Sequence, residues 1–535
     1  MVNVSNEWLV AREETLLPET FVEITFVATE PGLQKEAKVS VSEQESFSDI
    51  SILTDSGEKV GEMYTTLEYG MWGLNGGFNY FDGTPVKPGY VSSSYSKADC
   101  TFAKAPKITI DFSRIHEGLI PGMTIVWDKT FHSWATDFIV TSYDSDGMVA
   151  QTTVTDNEYA TSDVWFDLKG YTKITIEIQK WSHPYHRLRC TDLVMGIKTI
   201  YTKSDLISYE HSQSVDLLSA ALPNNSVTFS LRNDDNRWNP DNPTGSEKYL
   251  LEQQEVTVRY GMDINGNTEW IDGGVFWLTE WSTPANGLEA NFTARDAISF
   301  MEKTYEGIRV GTLYDIAIAA FTEAELPLHE DDSVRYIVHD SLKDITTDFS
   351  EDTNHYTIAE VLQMVANAGC CVFYQDRKGN VYVKPWDMAY SGTIIEPKIS
   401  YSHPEYNISK PLKAVSVSYG EDLSVEIPAL AKGEVQTIDN PLIVTEADAT
   451  RLGEHVKELL LYRKTIEGDY RADLTLDVLD GIIVMSKYAS NIIGISEMKY
   501  TNNGGAFKGT YKGRVISLEL TPVIYHSGEI HVGEV

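Results

Sequence analysis

Apolar and polar residues alternate in short runs along most of this chain, and only a few stretches keep helical spacing. Residues 21–29 (FVEITFVAT) alternate in part and predict a strand with one wet face, followed by a polar stretch over 30–56. From about residue 67 the aromatic content rises. KITIDF from Lys107, MTIVW from Met123, TDFIVTSYD from Thr136, QTTVT from Gln151, VWFDL from Val164 and KITIEIQKW from Lys173 then read as short strands separated by Gly, Asp, Asn and Ser. Their recurrence predicts an antiparallel sandwich of jelly-roll type.

After Ile200 the alternation resumes at Val227, Phe229 and Leu231 and breaks at Asn233. Asn, Pro and Gly then form a long ordered turn before a strand at Glu255–Tyr260. A hairpin with Asn265-Gly266 as its turn runs into GGVFWLTEWS and LEANFTARDAISFM, completing one barrel. Helical spacing appears at Leu313–Phe321. A clearer helix begins at Thr357, where Thr357 and Glu360 form a capping box, Ile358, Leu362 and Val365 share a face, and Gly369 ends it. CCVFYQDRKGNVYVKPW follows as a hairpin turning at Arg377–Asn380, which makes a compact α+β unit. The last section starts with alternating AVSVSYG. A second capping box, Thr445 to Asp448, starts a helix over 446–463. The runs at Tyr470–Asp480, IIVM, GISEMKY and GTYKGRVISLEL are strands of a second barrel.

Length and charge narrow the function. A chain of 535 residues suggests three or four domains. Lys and Arg total 43 against 79 Asp and Glu, a formal net charge of −36 spread along the chain. Such a surface repels phosphate backbones, so sequence-independent nucleic-acid binding is not expected; the charge reads first as a means of solubility, and a conduit wall that DNA slides past is the sharper alternative. The four cysteines are too few for a disulfide framework: Cys370 and Cys371 suit a buried strand entry, and Cys100 and Cys190 could meet across one domain. Residues 1–17 lack the pattern of a secretory signal and no run reaches the length of a membrane span, so reduced folding in the cytoplasm is the expectation.

Three stretches resemble the hub and tail-tip proteins of phages, prophages and tail-like bacteriocins. They are SVTFSLRNDDNRWNPDNPTGSEKYLLEQQEVTVRYG with GGVFWLTEWS; TIAEVLQMVANAGCCVFYQDRKGNVYVKP; and DNPLIVTEADATRLGEHVKELLLYRKTIEGDYRADLTLDVLDGIIV with GISEMKYTNNGGAFKGTYKGRV. They stand in the family's order and cover most of 200–520. The resemblance implies a mainly β protein with a small α+β part: two tail-tube-like β-barrels, an inserted jelly-roll-type β-sandwich similar to carbohydrate-binding modules, and a helix-plus-hairpin module. The implied boundaries are 1–65 with 199–303 for a discontinuous first barrel, 66–198 for the insert, 304–395 for the α+β module and 396–535 for the second barrel. It also implies a homotrimer whose six barrels ring a passage. Its partners would be distal-tail and tail-tube proteins, tape-measure protein and tip, spike or fibre proteins, with DNA only in transit and the virion tail tip as its location.

The chemistry-bearing residues add little to that. Asn233–Asn242 (NDDNRWNPDN) is rich in oxygen ligands but lacks the Gly and the terminal Glu of an EF-hand loop, so Asn233, Trp238, Asn239 and Pro240 read as a structural turn, with Trp238 filling a gap between the barrel and its neighbour. His183 and His186 have no obvious third ligand. No nucleophile-elbow, zinc-protease, P-loop or dinucleotide motif is present, so no enzyme activity, metal or cofactor is expected. Trp72, Trp127, Trp134, Trp165, Trp181 and Tyr185 are either core or sugar-stacking residues of the insert; Trp134 and Tyr185 are the best candidates for contact with a cell-wall glycan. Host adhesion through the sandwich is the rival reading to a structural hub.

Overall fold

In the computed structural model the described residues are 2–14, 18–29, 33–54, 66, 68–71, 88–129, 131–242, 249–250, 253–264, 266–284, 287–329, 333–387, 390–420, 423–486 and 489–516. The fold is mainly β with a small α+β part. Its largest sheet has 13 strands. Strands Ile197–Tyr201, Thr20–Ala28, Glu255–Ile264, Asn267–Ser282, Glu289–Arg295, Asn224–Arg232 and Leu206–Ser214 follow one another, and Ser490–Asn502, Lys508–Val515, Lys464–Arg471 and Glu405–Ile408 continue the same sheet. Gly481–Met485 also pairs with Ser490–Asn502 and carries Tyr390–Ile395 as a parallel neighbour. The strands expected in two separate barrels are therefore fused: Leu206–Ser214 pairs antiparallel with Ser490–Asn502, setting His211 opposite Tyr500. Among the described residues neither half closes on itself into a barrel.

Alternation along these strands decides which face is buried. Along Asn224–Arg232, Val227, Phe229 and Leu231 face the core while Thr228 and Arg232 face out. Phe229 lies opposite Phe292 in the register, and the two rings stack with centroids 5.1 Å apart. Tyr470 lies opposite Gly509, where a Cβ would come within 2.4 Å of its ring; the glycine makes room for the tyrosine to lie across the strand.

A second core fills the predicted sandwich. One sheet orders Lys38–Val41, Lys107–His116, Tyr171–Trp181, Ala135–Tyr143 and Met148–Val154; the other orders Tyr90–Tyr95, Arg187–Met195, Ile120–Trp127 and Thr161–Leu168. Trp127, Phe138 and Trp181 are buried between them, with Trp127 edge-on to both partners. Lys38–Val41 lies in a segment expected within the first barrel but pairs with Lys107–His116, because Val39 and Val41 pack against the sandwich core.

The third core joins helices Leu313–Ala324 and Ile358–Ala368 to the hairpin Val372–Gln375/Val381–Lys384. It also takes in helix Glu446–Leu461 and the three-stranded sheet Leu423–Pro428, Leu412–Tyr419, Glu434–Ile438. Residues 412–461, expected in the second barrel, thus pack with the α+β unit. Ala449, Leu452 and Val456 form one apolar face of the helix within this shared core, and Asn440 donates to the Met364 carbonyl and the Asn367 side-chain oxygen, 2.9 Å each.

Candidate functional site

The hairpin turn at Asp376–Asn380 carries Arg377, the residue that ties the modules together. Its guanidinium donates to Asp477 Oδ2 (3.1 Å) and to the carbonyls of Asp272 (3.1 Å), Leu474 (2.8 Å) and Leu476 (2.5 Å). Residues 472–480, expected as strand, leave the ladder here: Asp473 caps Thr475, Asp480 caps Asp477, and Arg377 takes up carbonyls that a partner strand would otherwise satisfy. The guanidinium also lies over the Tyr260 ring at 5.7 Å.

From Tyr260 a buried polar chain runs within the first half, and its Tyr260 and His211 rings meet Tyr500 of the second half across the seam. Its hydroxyl meets Tyr209 at 2.8 Å and His211 Nδ1 at 2.7 Å, and His211 Nε2 faces Asn225 Oδ1 at 2.8 Å. That arrangement puts the imidazole proton on Nε2, with Nδ1 accepting from the Tyr260 hydroxyl. Burial, with Arg377 nearby, holds the imidazole down to about 4. Tyr500 donates to the Asp473 carbonyl from the second half. The chain is enclosed and its groups bond one another, so it fixes geometry and offers no opening to a substrate. Beyond the seam, Asp296 is fully enclosed: Oδ1 accepts from Ile298 N at 3.2 Å and burial raises the carboxyl to about 7.

The predicted turn is built as a structural unit. Asn233 is buried; its Oδ1 accepts from Trp238 N (3.0 Å) and its Nδ2 donates to the Gly287 carbonyl (2.8 Å). Trp238 plugs the large sheet's own core, edge-on to Phe26 and Phe292. Asn239 Oδ1 accepts from Asp241 N, and Pro240 is exposed. Among the described residues no group of three or more His, Cys, Asp or Glu could hold a metal, and the four cysteines are free.

In the sandwich the two proposed glycan contacts part company. Trp134 is half-buried, its indole donating to the Asn157 carbonyl at 2.9 Å and its ring edge-on to His183. Tyr185 is 51% exposed and pairs with Tyr69 at 6.4 Å; Tyr69 was not singled out by the sequence. Trp127 and Trp181 are core, Trp165 faces solvent, and Trp72 lies outside the described residues. His183 and His186 stand 5.2 Å apart by ring centroid. No helix among the described residues is long and apolar enough to cross a membrane.

No family profile and no curated protein matches the chain. Solved structures do. The 43 kDa tail protein of prophage MuSo2 from Shewanella oneidensis is similar over 59% of this chain and 94% of its own, at 12% identity and a TM-score of 0.42. The prophage tail protein gp18 from Listeria monocytogenes is similar over 59% and 91%, at 12% identity and a TM-score of 0.40. A chitosan-binding module of a Paenibacillus chitosanase/glucanase is similar over 31% and 95%, at 9% identity and a TM-score of 0.20.

Proposed function

We propose that this chain is a structural subunit of a phage-type tail tip, a baseplate hub protein without enzymatic activity that forms a ring joining the tail tube to the distal tip. The observation that carries this reading is the fused 13-stranded sheet. Two β-halves far apart in sequence form one continuous wall, and Arg377 of the α+β unit locks it from behind. A rigid wall segment is what a ring subunit needs. At one end of the sheet the strand Glu405–Ile408 is exposed throughout, with Tyr406 and Ile408 open to solvent, and an edge of that kind invites a neighbouring chain. In this reading three copies close the ring, tape-measure protein and DNA pass through it, and tube and spike or fibre proteins bind above and below. The acidic balance keeps DNA from sticking to the wall. A second reading, host adhesion through the sandwich, is favoured by its exposed tyrosines.

Native mass spectrometry of the purified chain tests the assembly. The expected mass is that of three copies; a monomer at every concentration up to the solubility limit would contradict the ring.

A further inference from the structure

Tyr185 has φ 62°, the left-handed region that a bulky side chain rarely adopts, yet its ring points into solvent and gains no core packing. The loop that imposes this conformation is clamped from below by Ser96, which is buried. Ser96 Oγ donates to the His183 carbonyl (2.7 Å) and accepts from His186 N (3.0 Å), the Ser96 carbonyl accepts from Tyr185 N (3.0 Å), and Ser96 N donates to the His186 carbonyl (2.9 Å). A strained, exposed aromatic ring on a fixed support costs stability and returns none through packing, so its use lies outside the monomer's own core.

Its neighbours share the pattern. Tyr69 is 75% exposed and meets Tyr185 edge-on. Tyr69 follows Glu68, whose buried carboxylate is gripped by the Arg189 guanidinium and by Arg187 N at 2.9 Å; Arg189 in turn reaches Asp128 at 3.4 Å. Tyr95, paired with Arg187 in the strand register, is already taken up: the Arg187 guanidinium lies 4.2 Å from its ring centroid and donates to its hydroxyl at 2.9 Å, and Arg187 is paired with Glu45. The patch thus holds two exposed phenol rings in edge-on contact on rigid backing, and the charges beneath them are bonded to one another.

We propose that Tyr69 and Tyr185 form a binding site for a neutral pyranose oligosaccharide. A sugar has an apolar C–H face that stacks on a ring and a rim of hydroxyls that bond phenol oxygens. A fixed aromatic platform meets both needs at low entropic cost. A phosphorylated or strongly charged ligand would need an opposite charge free to meet it, and the charges here are engaged with each other. The site rests on the adhesion reading of the sandwich and is independent of ring formation.

The test is binding of the full chain to an array of neutral gluco-, galacto-, manno- and N-acetylglucosamine oligomers beside acidic glycans, followed by titration of the strongest hit. The expected result is a neutral binder whose affinity falls about tenfold in Tyr69→Ala and in Tyr185→Gly. It should be unchanged in Trp165→Ala, an exposed aromatic on Thr161–Leu168, the edge strand of the four-stranded sandwich sheet opposite Tyr90–Tyr95. Because glycine accepts the left-handed backbone, Tyr185→Gly should melt no lower than the parent. Binding that persists in both tyrosine variants overturns the site while leaving adhesion standing. Binding of no glycan at all, or of acidic glycans only, overturns both the site and its neutral ligand class. A melting point lowered by Tyr185→Gly assigns the ring to packing and also overturns it.

Discussion

Two buried titratable residues give opposite pH dependences. His211 is held at about 4 against 6.5 for the free side chain, so it stays neutral in the fold while the unfolded chain takes up a proton below 6.5. Its contribution is complete above 6.5 and is lost as pH falls towards 4. Asp296 runs the other way. Its carboxyl titrates near 7 in the fold and at 3.8 when unfolded, so its contribution is complete below 3.8 and is lost as pH rises through 7. Each is worth on the order of 3–4 kcal/mol across its window, and the two act in opposite directions. Melting temperatures of Asp296→Asn between pH 4 and 7 should therefore rise with pH more steeply than those of the parent; an unchanged slope would show that Asp296 ionises freely. Neither residue is conspicuous in the sequence, since an ordinary His or Asp carries no mark of its burial. Trp238, by contrast, has an Asn- and Pro-rich setting that predicts a turn and a size that predicts burial, but the gap it fills lies in the sheet's own core and not between barrel and neighbour, a placement no local pattern encodes.

Elements with strong local signals were read correctly. The sandwich strands from Lys107 to Trp181 and the helix capped by Thr357 and Glu360 lie where alternation and capping chemistry put them. A similar box at Thr312 and Asp315 starts the helix Leu313–Ala324; the T-x-x-D spacing was its available signal. Strand Arg187–Met195 escaped because Arg189 sits inside the sandwich, where a charge reads as surface until its carboxylate partners are known. Residues 472–480 read as strand because Leu474, Leu476 and Val478 alternate, but their carbonyls bond a side chain from a distant hairpin. That joint carries its own prediction. Arg377→Met should remove the cation that pairs with Asp477 and the donor to the Asp272 and Leu474 carbonyls, Leu476 keeping the Tyr500 hydroxyl, and cost about 3–5 kcal/mol in urea unfolding. A cost under about 1 kcal/mol would mean that packing alone seats the hairpin against the sheet.

At the scale of the whole molecule, the sequence conveyed the class of architecture but not its connections. Strands and helices are local, whereas fusion of the halves depends on Leu206–Ser214 meeting Ser490–Asn502 across almost 300 residues, which no local pattern encodes. The packing of 412–461 onto the α+β unit has the same long-range character. Both features join separate modules into one body with an exposed strand at its rim, and the proposed ring would set such bodies around an axis. Cryo-EM of the assembled tail tip is the most direct measurement. The account predicts this chain in a closed ring around a central passage, each copy giving two wall segments from its single large sheet. A tip that lacks the chain, or that holds copies unable to close around an axis, would contradict it.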